Sequence, residues 1–188
     1  MRVTRTVRDF QNALLVLLEN NSFDHLTVDQ ICKEALLHRS SFYRYFNDKY
    51  DLLEQTLKAQ INRIADSGDS EEDIMKQLII YIDEHRNVIR HLAASNSRSS
   101  IYSEMLQILT QIFLERSEQS SKDAIIQALQ ESDNPELLAY TLSGSILGAF
   151  KWWQTKNYDV PVEDMIHYAR QTVRILSDDD RPILKSSK

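Results

Sequence analysis

Glycine and proline are scarce in this chain, with three of each among 188 residues. Long segments of helical apolar periodicity run between them, no hairpin signal is present, and an all-helical (all-α) chain is expected. A single cysteine, Cys32, excludes an internal disulfide framework and fits a reducing cytosol. It reads either as a redox-sensing thiol or as a small buried side chain, and the buried reading takes precedence. No apolar run approaches the ~18 residues that a membrane-spanning helix needs, and no secretory or lipidation signal opens the chain. The protein is expected to be soluble and cytoplasmic, with no membrane partner.

Catalytic signatures are missing as well. There is no phosphate-binding Gly loop, no Cys/His metal spacing and no nucleophile motif. Carboxylate-bridged metal sites need paired Glu-x-x-His elements, and the nearest approach is the single Asp164-x-x-His167. No catalytic residue, metal or cofactor is therefore expected, which leaves a helical-bundle enzyme as a remote alternative. The net charge of −6 at first argues against nucleic acid. The charge is uneven, however: residues 1–63 hold nine basic against eight acidic side chains, and residues 64–188 hold thirteen against twenty. Local placement of Arg and Lys counts for more than the sum.

The most informative stretch is Thr27 to Lys49, TVDQICKEALLHRSSFYRYFNDK. Thr27 and Gln30 have the spacing of a capping box, and Leu26 with Ile31 that of a hydrophobic staple, so a helix starts here with a set entry angle. Val28, Ile31 and Ala35 share its inward face, and the small Cys32 suits close crossing of a second helix. Phe42 and Phe46, four apart, supply the buried face of that second helix. Its other positions, Arg39, Ser40, Ser41, Tyr43, Arg44 and Tyr45, carry guanidinium, hydroxyl and phenol groups. Such groups suit bases and phosphates: Arg pairs with guanine edges, Ser reads several bases, and Tyr hydroxyls reach phosphate oxygens. Asp48 caps a further helix, with Lys49 in its first turn. The stretch 27–46 reads as a DNA-reading helix-turn-helix.

This stretch resembles the signature of the TetR family of bacterial transcriptional regulators, through Thr27, Ile31, Ala35, Arg39, Ser40, Phe42, Tyr43, Phe46, Lys49, Asp51 and Leu52. The resemblance covers residues 4 to 64. It implies a DNA-binding set of Thr27, His38, Arg39, Ser40, Ser41, Tyr43, Arg44, Tyr45 and Lys49. Two departures stand out. Leu36 occupies the turn where the family usually has Gly, a position of positive φ. His38 replaces the usual Ser, Thr or Asn cap of the reading helix.

Elsewhere the chain reads as further helices. The first starts at Thr4 or Thr6 and reaches Glu19, burying Val7, Phe10, Leu14, Leu17 and Leu18. A connecting helix spans 48–66, and the cluster Asp66-Ser67-Gly68-Asp69-Ser70 marks a domain boundary. Helices follow from Ser70, over 87–94, over 101–117 after a loop at 95–100, over 124–129, from Asn134-Pro135 to Lys156, and over 161–177. Three divisions are expected: a DNA-binding domain 1–66, a C-terminal domain 67–178, and a disordered tail 179–188.

Gly144 and Gly148 share one face of the 134–156 helix, and close approach of another helix would offset their cost of ~1 kcal/mol each. The resemblance implies a homodimer built from the last two long helices, with Leu142, Gly144, Ser145, Gly148, Met165, Ala169 and Val173 at the interface. Two-fold symmetry would then match a palindromic double-stranded operator. It further implies a small-molecule effector held among the C-terminal helices, for which Tyr81, His85, His91, Tyr102, Met105, Phe113, Phe150 and Trp152 are the candidates. The expected function is a dimeric repressor released from its operator by that effector. The alternative keeps DNA binding but gives the C-terminal domain a protein partner.

Overall fold

The structure is a computed structural model that describes residues 4–68, 70–93, 98–119 and 123–176; the side chains of 71, 72, 93, 98–100, 124 and 173–176 fall outside that description. The expected tail 179–188 lies outside the described residues. Ten α-helices account for the fold, with no strand among the described residues. They are α1 (Arg5–Leu18), α2 (Val28–Glu34), α3 (Arg39–Tyr45), α4 (Lys49–Ser67), α5 (Glu71–Glu84), α6 (Arg86–Ala93), α7 (Arg98–Ser117), α8 (Ala124–Glu131), α9 (Pro135–Thr155) and α10 (Val162–Leu176). A 3-10 turn, Phe23–His25, joins α1 to α2.

The helix starts carry the chemistry expected of them. Thr4, rather than Thr6, caps α1, its hydroxyl accepting from the Val7 amide at 3.3 Å. The Thr27–Gln30 capping box is complete. Asp48 accepts from the amides of Tyr50 and Asp51 at 2.8 and 2.9 Å, and Asn134 accepts from Leu137 at 3.0 Å with Pro135 at the first helical position. One segment differs: α7 begins at Arg98, so residues 98–100 are helical where a loop was expected. Ser and Arg there join the following periodic stretch because no residue between Arg98 and Ile101 breaks a helix.

Packing divides the chain into two compact units, residues 1–63 with 82–108, and residues 64–81 with 109–188. The expected boundary at residue 66 lies near the first crossing point, but residues 82–108, expected in the C-terminal domain, pack with the N-terminal helices. The reason is visible in the core of the first unit, where Val88 and Leu92 of α6 join Phe10, Leu14, Leu18, Phe23, Leu26, Ile31, Phe42, Phe46, Leu52 and Leu53. His91 of α6 adds a polar tie, with Nδ1 2.7 Å from the Leu18 carbonyl oxygen at the end of α1.

In the second unit, Phe113, Ile125, Ile126, Leu129, Ala139 and Leu142 form an apolar cluster from α7, α8 and α9. Trp153 is fully buried and donates its indole N–H to the Val160 carbonyl at 2.9 Å. Gly68, between α4 and α5, has no room for a side chain: a Cβ there would lie 2.5 Å from the Ile74 side chain.

Within the first unit, Asn47, Asp48, Tyr50, Asp51, Leu53, Glu54, Leu57, Ile101 and Glu104 line a cleft of about 310 Å³. Loss of surrounding water, then the charges of Glu104 and Asp51, push the Glu54 carboxyl above its ordinary pKa, with Lys58 opposing them. A raised carboxyl pKa means that ionising Glu54 disfavours the folded state, so the penalty is present above the raised value and vanishes below the ordinary one. Glu54→Gln should therefore raise the urea midpoint at pH 7 and lose that advantage as pH falls through the carboxylate range. A gain of equal size at pH 7 and pH 4 would trace the effect to something other than charge.

Candidate nucleic-acid interface

The helix-turn-helix is built on three rings. Phe10 of α1 meets Phe42 and Phe46 edge-on, with centroids 5.4 and 5.9 Å apart, and all three rings are buried. This clamps α3 by one face and turns Arg39, Ser40, Tyr43 and Arg44 to solvent, with Ser41 and Tyr45 half-buried at its margins. Tyr45 packs against the same core.

The turn retains a left-handed residue without a glycine. Leu36 has φ 56°, its amide donates to the Lys33 carbonyl at 3.2 Å, and the Leu37 amide donates to the Cys32 carbonyl at 3.0 Å. Those two bonds define a Schellman ending of α2. Leu36 is 90% exposed, so its side chain adds no packing to offset the backbone strain, whereas Leu37 turns inward against the core. His38 takes the extended backbone of an N-cap, but its ring makes no capping hydrogen bond. Cys32 is buried; burial, then the nearby Asp29 charge, pushes its thiol pKa up, so it is a packing residue rather than a reactive thiolate.

Arg39 is held on both sides. Its Nη1 donates to Asp29 Oδ1 at 2.7 Å, its Nη2 donates to the Tyr43 hydroxyl at 3.1 Å, and its guanidinium carbon lies 5.4 Å from the Tyr43 ring centroid. The Tyr43 hydroxyl, and then the Asp29 carboxylate, raise the guanidinium pKa above its ordinary value. Asp29 escaped sequence reasoning; its position in the first turn of α2, ten residues before Arg39, gives no local cue to this pairing.

Lys49, expected in the DNA-binding set, has its ammonium engaged within the protein. Its ammonium donates to three carbonyls, Phe23, Asp24 and Leu26, at 3.0, 3.0 and 2.9 Å, and lies 4.9 Å from the Phe23 ring centroid. Three donors meet three acceptors, so Lys49 braces the 3-10 turn against α4. The Thr27 side chain is likewise engaged in the capping box, although it remains exposed.

The second unit carries an apolar cleft of about 140 Å³, whose lining includes Met75, Ile79, Phe113, Ile146, Phe150 and Tyr168.

The model for "Bacterial regulatory proteins, tetR family" matches residues 12–56, and that for "Transcriptional regulator C-terminal region" matches residues 69–174. The chain belongs to the TetR family. It is a DNA-binding transcriptional regulator rather than an enzyme. Among its relatives is the Bacillus subtilis HTH-type transcriptional regulator YxbF, 33% identical over 48 residues, which make up 26% of this chain and 13% of that one. Similar solved folds include a TetR-family transcriptional regulator from Rhodococcus sp. (TM-score 0.63, 17% identity, covering 93% of this chain and all of the other). The fatty acid degradation regulator FadR from Bacillus halodurans is another, with TM-score 0.57, 16% identity, and coverage of 96% and 99%.

The TetR-type effector candidates do not form one site. Phe113 and Phe150 line the apolar cleft. His85, His91, Tyr102 and Met105 group instead with the N-terminal unit, where His91 is engaged with Leu18 and His85 lies 3.8 Å from Glu19. Tyr81 belongs to the second unit but not to the cleft lining, and Trp152 is 46% exposed on α9. A helical period identifies apolar residues but not which helices their side chains converge on.

The expected dimer set also divides. Leu142 and Met165 are buried within their own chain, and Ala169 is half-buried. Ser145 and Gly148 are exposed, Gly144 is half-buried, and a Cβ on either glycine would meet nothing within 4 Å. The Val173 side chain lies outside the described residues.

Two substitutions test the local architecture. Leu36→Gly should stabilise the fold by up to about 1 kcal/mol, since it relieves the left-handed strain and loses no packing. Lys49→Met should destabilise it by about 1–3 kcal/mol by removing the three hydrogen bonds of its ammonium. Both are read from urea midpoints; an unshifted midpoint for Lys49→Met would return that ammonium to the set available for phosphate.

Proposed function

We propose that this TetR-family regulator is a dimeric repressor that binds a palindromic operator through α3 and leaves it when a small apolar molecule occupies the cleft of the C-terminal unit. The observation that carries the DNA side is the exposed face of Arg39, Ser40, Tyr43 and Arg44, held outward by buried Phe42 and Phe46. Arg44 and Arg39 suit guanine edges, and Ser40, Ser41, Tyr43 and Tyr45 suit phosphates and adjoining bases. Thr27 and His38 flank this face at the starts of α2 and α3 and complete the backbone contacts. The DNA-binding domain of the proposal is 1–66, onto which 82–108 packs, and the effector and dimer domain is the rest of 67–178.

The cleft supports an apolar effector, because its lining is almost wholly aliphatic and aromatic. Its volume is near the ~150 Å³ that holds one benzene-sized molecule, so the effector is compact. Gly144, Ser145 and Gly148 support a dimer in which α9 meets its counterpart: each glycine has open space beside it that a second helix would fill. The proposed route of release is a shift of the connecting helix α4, which follows α3 directly in the chain.

Selection from random duplex DNA should enrich a palindrome, and Arg44→Ala should weaken binding to it by about 1–3 kcal/mol while relaxing preference at one position. Small aromatic and aliphatic compounds should then release the complex, and release should be lost on filling the cleft with Ala149→Phe, since Ala149 is part of its lining. Gly148→Leu should leave the helical content intact and convert the dimer to monomer in sedimentation equilibrium. Enrichment of no sequence would remove the operator; DNA binding indifferent to every compound would favour a docked protein partner over an effector.

A further inference from the structure

A carboxylate stands on the face that has to approach phosphates. Asp29 projects from the first turn of α2 with 61% of its side chain exposed, paired with Arg39, which is 58% exposed. An ion pair this open contributes little to stability, so its consequence lies in where it holds the guanidinium and where it leaves a negative charge. Arg39 donates one N–H to Asp29 and one to Tyr43, which keeps three of its five donors for a base. The Tyr43 oxygen accepts from Arg39, and its own proton remains to be donated to a phosphate.

We propose that Asp29 is a positioning residue that sets sequence discrimination, orienting Arg39 toward a guanine and penalising DNA that offers no guanine at that place. On a matching site, Arg39 pairs with the guanine edge and keeps Asp29 neutralised. On any other sequence, the strongest acceptor within reach is a phosphate. With its free donors held toward the base edges, Arg39 meets a phosphate by leaving Asp29, and the carboxylate is then unpaired beside a polyanion. The penalty falls on the wrong sequences alone, and that difference is specificity. Asp29 also suits the dipole at the start of α2, but that role would alter stability and not the ratio of affinities.

This inference rests on α3 facing DNA as proposed above. The test uses the full-length protein, the duplex enriched by selection and a scrambled duplex, with Asp29→Asn and Asp29→Ala compared at several salt concentrations. Both variants should bind scrambled DNA roughly tenfold more tightly, while affinity for the selected site changes far less. The salt slope on scrambled DNA should steepen by about one unit as Arg39 gains a phosphate. Parallel changes on both duplexes, or no change on either, would overturn the assignment. Arg44→Ala separates the two levels: if it weakens the selected site while Asp29→Asn moves nothing, Asp29 alone is misassigned. If no site is enriched, or Arg44→Ala leaves the enriched site unaffected, the reading face itself fails and the Asp29 role with it.

Discussion

The edge-on packing of Phe10 against Phe42 and Phe46 is the contact on which the reading surface depends. A helix of seven residues has too few internal hydrogen bonds to persist in water, so α3 exists because Phe42 within it and Phe46 at its C-cap are buried. Edge-to-face rings also fix the rotation of α3 about its axis, since the quadrupoles favour that arrangement over sliding. With Phe42 and Phe46 committed inward, the helical period leaves Arg39, Ser40, Tyr43 and Arg44 no direction but outward.

Around that clamp, two other features set the geometry of the motif. Leu36 accepts a left-handed backbone so that α2 can end and α3 begin within four residues, and the two carbonyl contacts of the Schellman ending hold it there. Lys49 ties α4 back to the 3-10 turn through the carbonyls of Phe23, Asp24 and Leu26. Both settle the path of the chain, Leu36 through its backbone and Lys49 through its ammonium.

A chain of net charge −6 that belongs to a DNA-binding family depends on placement rather than on sum. The acidic excess falls after residue 63, while the exposed face of α3 carries two arginines and no carboxylate. Asp29 brings negative charge to that face, across the turn on α2, and it does so in contact with Arg39. In the C-terminal unit, the open sides of Gly144 and Gly148 stand beside a core that buries Leu142 and Trp153, so one helix serves two surfaces of different character.

The all-helical class, most helix boundaries, the capping residues and the inward faces of the helix-turn-helix were legible in the sequence, because caps and the 3.6-residue period are local. The left-handed turn at Leu36 came only from the resemblance to the family, since a leucine carries no local signal for positive φ. Only the tertiary structure decided that 82–108 packs with the N-terminal helices, that Lys49 braces a turn, that Asp29 pairs with Arg39, and that His91 meets Leu18 while Phe113 and Phe150 share a cleft. Each of these joins residues that lie far apart in the chain or on different helices. Periodicity states which face of a helix is apolar, but the partner of that face is chosen by helix packing, which minimises exposed apolar area over the whole chain at once.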